Sequence, residues 1–312
     1  MDRDTILQLI GAGMRGETDR LRDYAMQLAN GSGDSILLRE IEDLFQTDTE
    51  LPIGLSPLRP KKNLKSLKLP PEVEQIVGDF MTEVRHAKAL EKAGLDPRHK
   101  ALLIGPPGNG KTVLAGAISI ELGIRAFMVR YDDLISKVAG ETSRNLLRLF
   151  SFAKREPTLL FFDEFDALGR ERDNDQESGE MKRVVSTLLV QLDDVPSHVI
   201  CMAATNHAQM LDSAIWRRFN IRIELPRPVL DRFPGFMLDE FRRFGHDPDP
   251  EKADLVEVAW RIAPDHFSDA ELFTRNVMRS FVLATELGNP KTIEEAIQAE
   301  LVLWAEGQKK LS

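Results

Sequence analysis

Apolar positions along the 312-residue chain follow three different rhythms in turn. Over residues 4–29 they recur at helical spacing, broken at "GAGMRGE", which predicts two short helices. "GSGD" interrupts that rhythm, and Asp34 or Ser35 can cap a third helix through Phe45. Residues 47–71 show no period; five prolines and the basic run "RPKKNLKSLK" give them linker composition. Helical spacing returns over about 72–93 and stops at Gly94. Short apolar runs then appear at "KALLIG" (100–105), "RAFMVRY" (125–131), "TLLFFD" (158–163), "HVICMAA" (198–204) and "IRIEL" (221–225), separated by helix-period segments. Strand alternating with helix predicts an α/β domain whose parallel sheet is covered on both faces. Beyond about Pro226 only helical spacing remains, enough for roughly four helices. The chain thus divides into a helical N-terminal arm (1–46), a Pro/Lys-rich linker (47–71), an α/β core (72–226) and a helical C-terminal domain (227–312).

Composition narrows the class. With 42% hydrophobic and 29% charged residues, the chain can pack a core and is not a disordered polymer. A formal charge of −9 argues against a general nucleic-acid binder, and the basic run in the linker is better explained as a solvated tether. The single cysteine, Cys201, excludes an internal disulfide, and its apolar neighbours predict a buried thiol. No apolar run approaches the ~20 residues of a membrane helix, and no signal-peptide pattern opens the chain. The expected location is cytoplasmic, with no membrane partner.

The candidate chemistry sits where strands end. "GPPGNGKT" (105–112) fits G-x-x-x-x-G-K-[ST] between an apolar strand and a helix, the setting a phosphate loop needs. Gly105, Gly108 and Gly110 let the backbone curl until its N–H groups face phosphate oxygens, with Pro106, Pro107, Asn109 and Val113 completing the cradle. Lys111 can reach β- and γ-phosphates, and the Thr112 hydroxyl can ligate Mg²⁺. "LLFFDEFDALG" (159–169) brings Asp163 to the end of another strand, where a carboxylate can hold the metal's waters. Glu164 follows and can polarise an attacking water; the competing reading is an acidic strand end facing solvent. Asp166 is equally consistent with a supporting and a solvated acid. A third strand ends "AATN", where Asn206 can orient water or cap the next helix. Finally, "SAIWRRFN" (213–220) sets Arg217 beside Arg218, either awaiting an outside anion or bridging acids such as Asp212 or Glu224.

Together, "GPPGNGKT", "FFDEFDALGRER", "AATN" and "MLDSAIWRRFNIRIELPRP" resemble the AAA family of ATPases over about 70–305. The compact "RRF" is most similar to the subset with katanin, spastin and the ESCRT-disassembly ATPase; other members space these arginines as R-x-x-R. The resemblance implies ATP with Mg²⁺, a five-stranded parallel sheet of order 5-1-4-3-2, a helical lid formed by 227–312, and a homo-oligomeric ring, usually a hexamer. It also implies that Arg217 and Arg218 are fingers directed at the γ-phosphate bound by a neighbouring subunit. "HFSDAELFTRNVMRS" (266–280) is similar to a lid segment whose backbone lies near adenine, but Asp269 replaces the usual glycine, so only Ala270 carries over. "QIVGDF" around Gly78 resembles the opposite wall of that pocket without its usual beginning. The aromatic residue that grips polypeptide in many relatives is here Val138, between Lys137 and Ala139, either a weak pore contact or a packing residue. The six histidines show no ligand spacing, so no metal beyond nucleotide-bound Mg²⁺ is expected. Three functions fit: a ring that remodels, threads or disassembles proteins; an ATP-gated ring that licenses a separately encoded effector such as a protease; or a DNA-linked ATPase, which the acidic balance disfavours.

Overall fold

The computed structural model describes residues 24–27, 31, 51–60, 62–134, 140–166, 178–262, 264 and 266–309. Most of the expected N-terminal arm lies outside the described residues, as do Lys137, Val138 and Ala139. The chain forms two compact units. One comprises Thr112–Ile223 with the chain up to Leu103; the other comprises Ile104–Lys111 with Glu224 onward.

The first unit is built on a sheet whose order is β1-β3-β4-β5-β2-β6. Its strands are β1 (Leu55–Pro57), β2 (Lys100–Ile104), β3 (Arg125–Val129), β4 (Thr158–Phe162), β5 (Val199–Thr205) and β6 (Ile221–Glu224). β3 pairs with β4, and β4 with β5, in parallel. Every residue of β4 and β5 is buried, as expected of central strands covered on both faces. β6 alternates, with Ile221 and Ile223 buried and Arg222 and Glu224 exposed. The five expected strands keep the 5-1-4-3-2 order, read from the β6 edge. The five-stranded expectation is nonetheless corrected, because β1 adds a sixth strand, antiparallel to β3, from the segment assigned to a linker. It carries the pairing with Val129, Met128 and Phe127, and Pro57 is tolerated because β1 is an edge strand.

Helices α1 (Pro71–Arg85) and α2 (Ala87–Lys92) replace the single helix expected over 72–93. The break falls at His86, whose ring Nδ1–H donates to the Thr82 carbonyl, 2.8 Å away. Next come α3 (Lys111–Leu122), α4 (Tyr131–Leu134), α5 (Glu141–Ala153), α6 (Ser178–Asp193) and α7 (Ser213–Trp216). Cys201 is buried in β5, and burial pushes its thiol up to about 12, which makes it an inert core residue. The second unit adds α8 (Phe233–Arg243), α9 (Pro250–Ala253), α10 (Leu255–Ile262), α11 (Phe267–Glu286) and α12 (Ile293–Lys309). Phe233, Met237, Phe241, Val258, Phe273 and Ile297 form its own core. No helix among the described residues is long and apolar enough to cross a membrane.

Candidate functional site

Residues 105–110 turn the chain from β2 into α3, and their glycines are demanded by contact as well as by conformation. A Cβ on Gly105 would collide with the backbone carbonyl of Leu225. Gly108 has φ 76°, and a Cβ there would collide with the Ser268 hydroxyl and press on His266. Gly110 is also left-handed, with φ 82°. Asn109 is buried and donates its amide to the Pro226 carbonyl at 2.8 Å, which fixes the loop's far side. Pro106 is half-buried, while Pro107 and Val113 are exposed. Lys111 is only 8% exposed, and its ammonium donates to the carbonyls of Gly105 (2.7 Å) and Pro106 (2.9 Å). The loop therefore curls around its own lysine.

The other acidic and hydroxyl groups gather within the first unit. The Thr112 hydroxyl donates to Asp163 Oδ2 at 3.2 Å. The backbone N–H of Glu164 donates to Asp163 Oδ1 at 2.9 Å. Glu164 itself has φ 47°, a left-handed conformation that costs a non-glycine residue about 1–2 kcal/mol. Neighbouring rings hold that strain in place. Phe162 and Phe165 are fully buried on either side of the Asp163–Glu164 pair, edge to face at 5.9 Å. Phe150 stacks on Phe162 at 6.2 Å, and Phe219 meets Phe165 edge-on at 5.5 Å. The outcome is an exposed Glu164 carboxylate at the end of β4 beside a half-buried Asp163. Strain of this kind concentrates where the backbone must aim a side chain.

Asp166 is a support rather than a solvated acid. It is buried and accepts from the Thr205 hydroxyl at 3.0 Å, while the same hydroxyl accepts from the His207 N–H. That bridge ties the end of β4 to the end of β5 and brackets Asn206, which is half-buried. Asn206 does not cap the turn Ala208–Met210, because His207 occupies the cap position.

In "SAIWRRFN", Asp212 caps α7 by accepting from the N–H groups of Ala214 and Ile215. Ile215 and Phe219 are buried anchors, and the Trp216 ring lies under the Arg222 guanidinium at 4.7 Å. The two arginines differ. Arg218 pairs with Asp193 at the end of α6 (2.8 Å) and donates to the Ala214 carbonyl (2.7 Å). Arg217 is exposed, and among the described residues its side chain has no partner. Asp193, 25 residues upstream of Arg218, carried no local sequence signal. Ala270 is fully buried in the core of the second unit, and the residues of its segment that lie against Gly108 of the glycine-rich loop are His266 and Ser268.

Comparison with known proteins matches residues 101–227 to the model of the ATPase family associated with various cellular activities. Residues 101–227 are an AAA domain. The chain is 38% identical over 195 residues to an uncharacterized AAA family ATPase, y4kL, of Sinorhizobium fredii, covering 62% of this chain and 59% of that one. It is 36% identical over 180 residues to a proteasome-activating nucleotidase of Methanoculleus marisnigri, covering 55% and 43%. An ATPase family protein 2 homolog of Caenorhabditis elegans is 40% identical over 156 residues, covering 49% and 21%. The chain thus spans less than two thirds of the length of each of these relatives. The AAA match begins in β2 and ends at Arg227, so it contains the glycine-rich loop 105–110, Asp163, Glu164, Asn206 and both arginines.

Proposed function

We propose that this chain hydrolyses ATP with Mg²⁺ and that a homo-oligomeric ring of six such chains uses the cycle to remodel, thread or disassemble protein substrates. The observation that carries the reading is the Thr112–Asp163 hydrogen bond, with Glu164 turned into a left-handed conformation directly beside it. A hydroxyl and a carboxylate are hard oxygen donors, the kind that suits Mg²⁺. Thr112 and Asp163 would hold a bound Mg²⁺, which would supply positive charge to offset that of the phosphates.

The chain's own residues divide the remaining work. Lys111 exchanges its two loop carbonyls for β- and γ-phosphate oxygens. The loop N–H groups and the first turn of α3 hold the phosphates, with Pro106, Pro107, Asn109 and Val113 shaping the cradle. The Thr112 hydroxyl would ligate the metal, and Asp163 would hold its waters. Glu164 accepts a proton from the attacking water, which Asn206 orients. Arg217 and Arg218 serve a neighbouring chain's γ-phosphate, and the backbone at Ala270 lies near the base.

The Glu164→Gln variant tests this. The amide keeps the size of the side chain but cannot take a proton, so ATP affinity should be retained while turnover falls by about 10²–10⁴. ATP should then accumulate assembled rings, visible by light scattering. Turnover within a few-fold of wild type would remove Glu164 as the base. A second reading, an ATP-gated ring that licenses a separately encoded protease, is favoured by the likeness to proteasome-activating nucleotidases. It is separated by asking whether the purified chain alone alters a protein substrate.

A further inference from the structure

β5 is apolar from Val199 to Ala204 and then ends on Thr205, a residue with the shape of valine and a hydroxyl in place of one methyl. Thr205 is fully buried, and a buried hydroxyl is tolerated when its hydrogen bonds are made. Here both are. The hydroxyl donates to Asp166 Oδ1 at 3.0 Å and accepts from the His207 N–H at 3.0 Å. Asp166, itself buried, takes the hydroxyl proton and so leaves a lone pair for His207. The bond to His207 spans Asn206. A side-chain oxygen that accepts from the N–H two residues on closes a small turn and sets the backbone of the residue inside it. On the neighbouring strand end, Glu164 stands two residues before Asp166 in its left-handed conformation. The two strand ends are already tied one step earlier, where the Phe165 N–H donates to the Ala204 carbonyl at 2.8 Å. The hydroxyl is therefore not needed to join β4 to β5. What it adds is a fixed direction for the chain at Asn206 relative to Glu164.

We infer that Thr205 is a positioning residue for hydrolysis, held by Asp166, that fixes Asn206 against Glu164 so that both meet the same water. The inference rests on the nucleotide-site reading above. A hydroxyl that merely completes the packing of β5 predicts something different, because its loss would then lower stability and leave turnover per folded chain unchanged.

Thr205→Val removes the hydroxyl at nearly constant shape, and Thr205→Ser keeps it. In Thr205→Val, kcat for ATP should fall about 10–100-fold, the effect of misplacing reacting groups by up to about 1 Å, while KM stays within about threefold of wild type. Thr205→Ser should bring kcat back to within about threefold. In ligand-free protein, the His207 N–H should exchange with deuterated water faster in Thr205→Val than in Thr205→Ser. Where Thr205→Val does not fold, Thr205→Ala takes its place, since room for a water lets Asp166 and the His207 N–H be satisfied without the fixed turn. The decisive comparison is made in Asn206→Ala. If Thr205 acts through Asn206, adding Thr205→Val to that variant should cost less than about twofold more in kcat. Full additivity of the two losses, a Thr205→Val kcat within about threefold of wild type, or equal His207 exchange in the two Thr205 variants overturns the inference and leaves the nucleotide site standing. Wild type that does not hydrolyse Mg·ATP, or Asn206→Ala that turns over as wild type does, overturns the nucleotide reading or its assignment of Asn206, and this inference falls with it.

Discussion

Gly105 is demanded by two constraints, only one of which a sequence can display. The motif asks for a residue whose backbone N–H can face a phosphate, and that was legible from the glycine spacing. The Leu225 carbonyl, 120 residues away, independently forbids any side chain there, and that appears only in three dimensions. Because the obstacle is backbone, Gly105→Ala should lower affinity for a fluorescent ATP analogue at least ~10-fold, about 1.4 kcal/mol, and also lower the melting temperature. Unchanged affinity would show that Leu225 yields easily. The acids follow the same division. "FFDEFD" announced Asp163 and Glu164, but the left-handed turn at Glu164 and the role of Asp166 depend on Phe219 and Thr205, partners no local pattern reveals. Glu300 gave no sequence signal. It is buried on α12, accepts from Asn276 at 3.2 Å, and burial raises its pKa. A raised carboxyl pKa means the folded chain prefers the protonated form, so this contribution to stability is fully present at low pH and is lost as pH rises through the folded value. Glu300→Gln keeps the acceptor oxygen and cannot ionise. It should match wild type in urea unfolding at about pH 4 and exceed it at about pH 7.5, and equal stability at both would contradict the burial effect.

Elements with a strong period were the readable ones. β4 and β5 are unbroken apolar runs because they lie in the middle of the sheet, and burial on both faces selects that composition. β1 defeats the same logic. Three residues, Leu-Ser-Pro, are too few to show alternation, and the prolines and lysines around them imitate a tether. What holds β1 is tertiary: Leu55 is 8% exposed, Leu58 N–H donates to the Ala126 carbonyl at 2.9 Å, and Pro60 lies against Gly116 of α3. The segment is thus strapped across the edge of the α/β unit and onto the helix that begins with Lys111. Leu55→Ala should destabilise the protein by about 2–3 kcal/mol, near the low end for buried leucines because an edge strand can partly close over the gap. A denaturation midpoint equal to wild type would mean that β1 adds nothing to the fold.

At the scale of the whole molecule, the question is which side of a chain boundary Arg217 and Arg218 serve. Within one chain, Arg218 already has Asp193 and the Ala214 carbonyl, whereas the Arg217 side chain has no partner among the described residues. The Arg218–Asp193 pair is largely exposed on the Asp193 side, and such pairs contribute roughly 0–1 kcal/mol, so its loss alone should not cripple a folded chain. A finger directed at a neighbour's γ-phosphate is worth far more, ~10³–10⁵ in rate. The two scales separate the readings. If the arginines act across subunits, Arg217→Ala and Arg218→Ala should each lose hydrolysis while keeping ATP affinity, and Asp193→Asn should keep most turnover because it frees Arg218 rather than removing it. Lys111→Ala should lose hydrolysis for the opposite reason, an intact finger beside a crippled phosphate loop. Mixing Arg217→Ala with Lys111→Ala chains then creates some junctions where a sound loop meets a sound finger, and activity should return in proportion to their number. Rings shown to be mixed that stay inactive, together with an Asp193→Asn variant as dead as Arg218→Ala, would instead make the arginine pair an intrachain brace between α6 and α7.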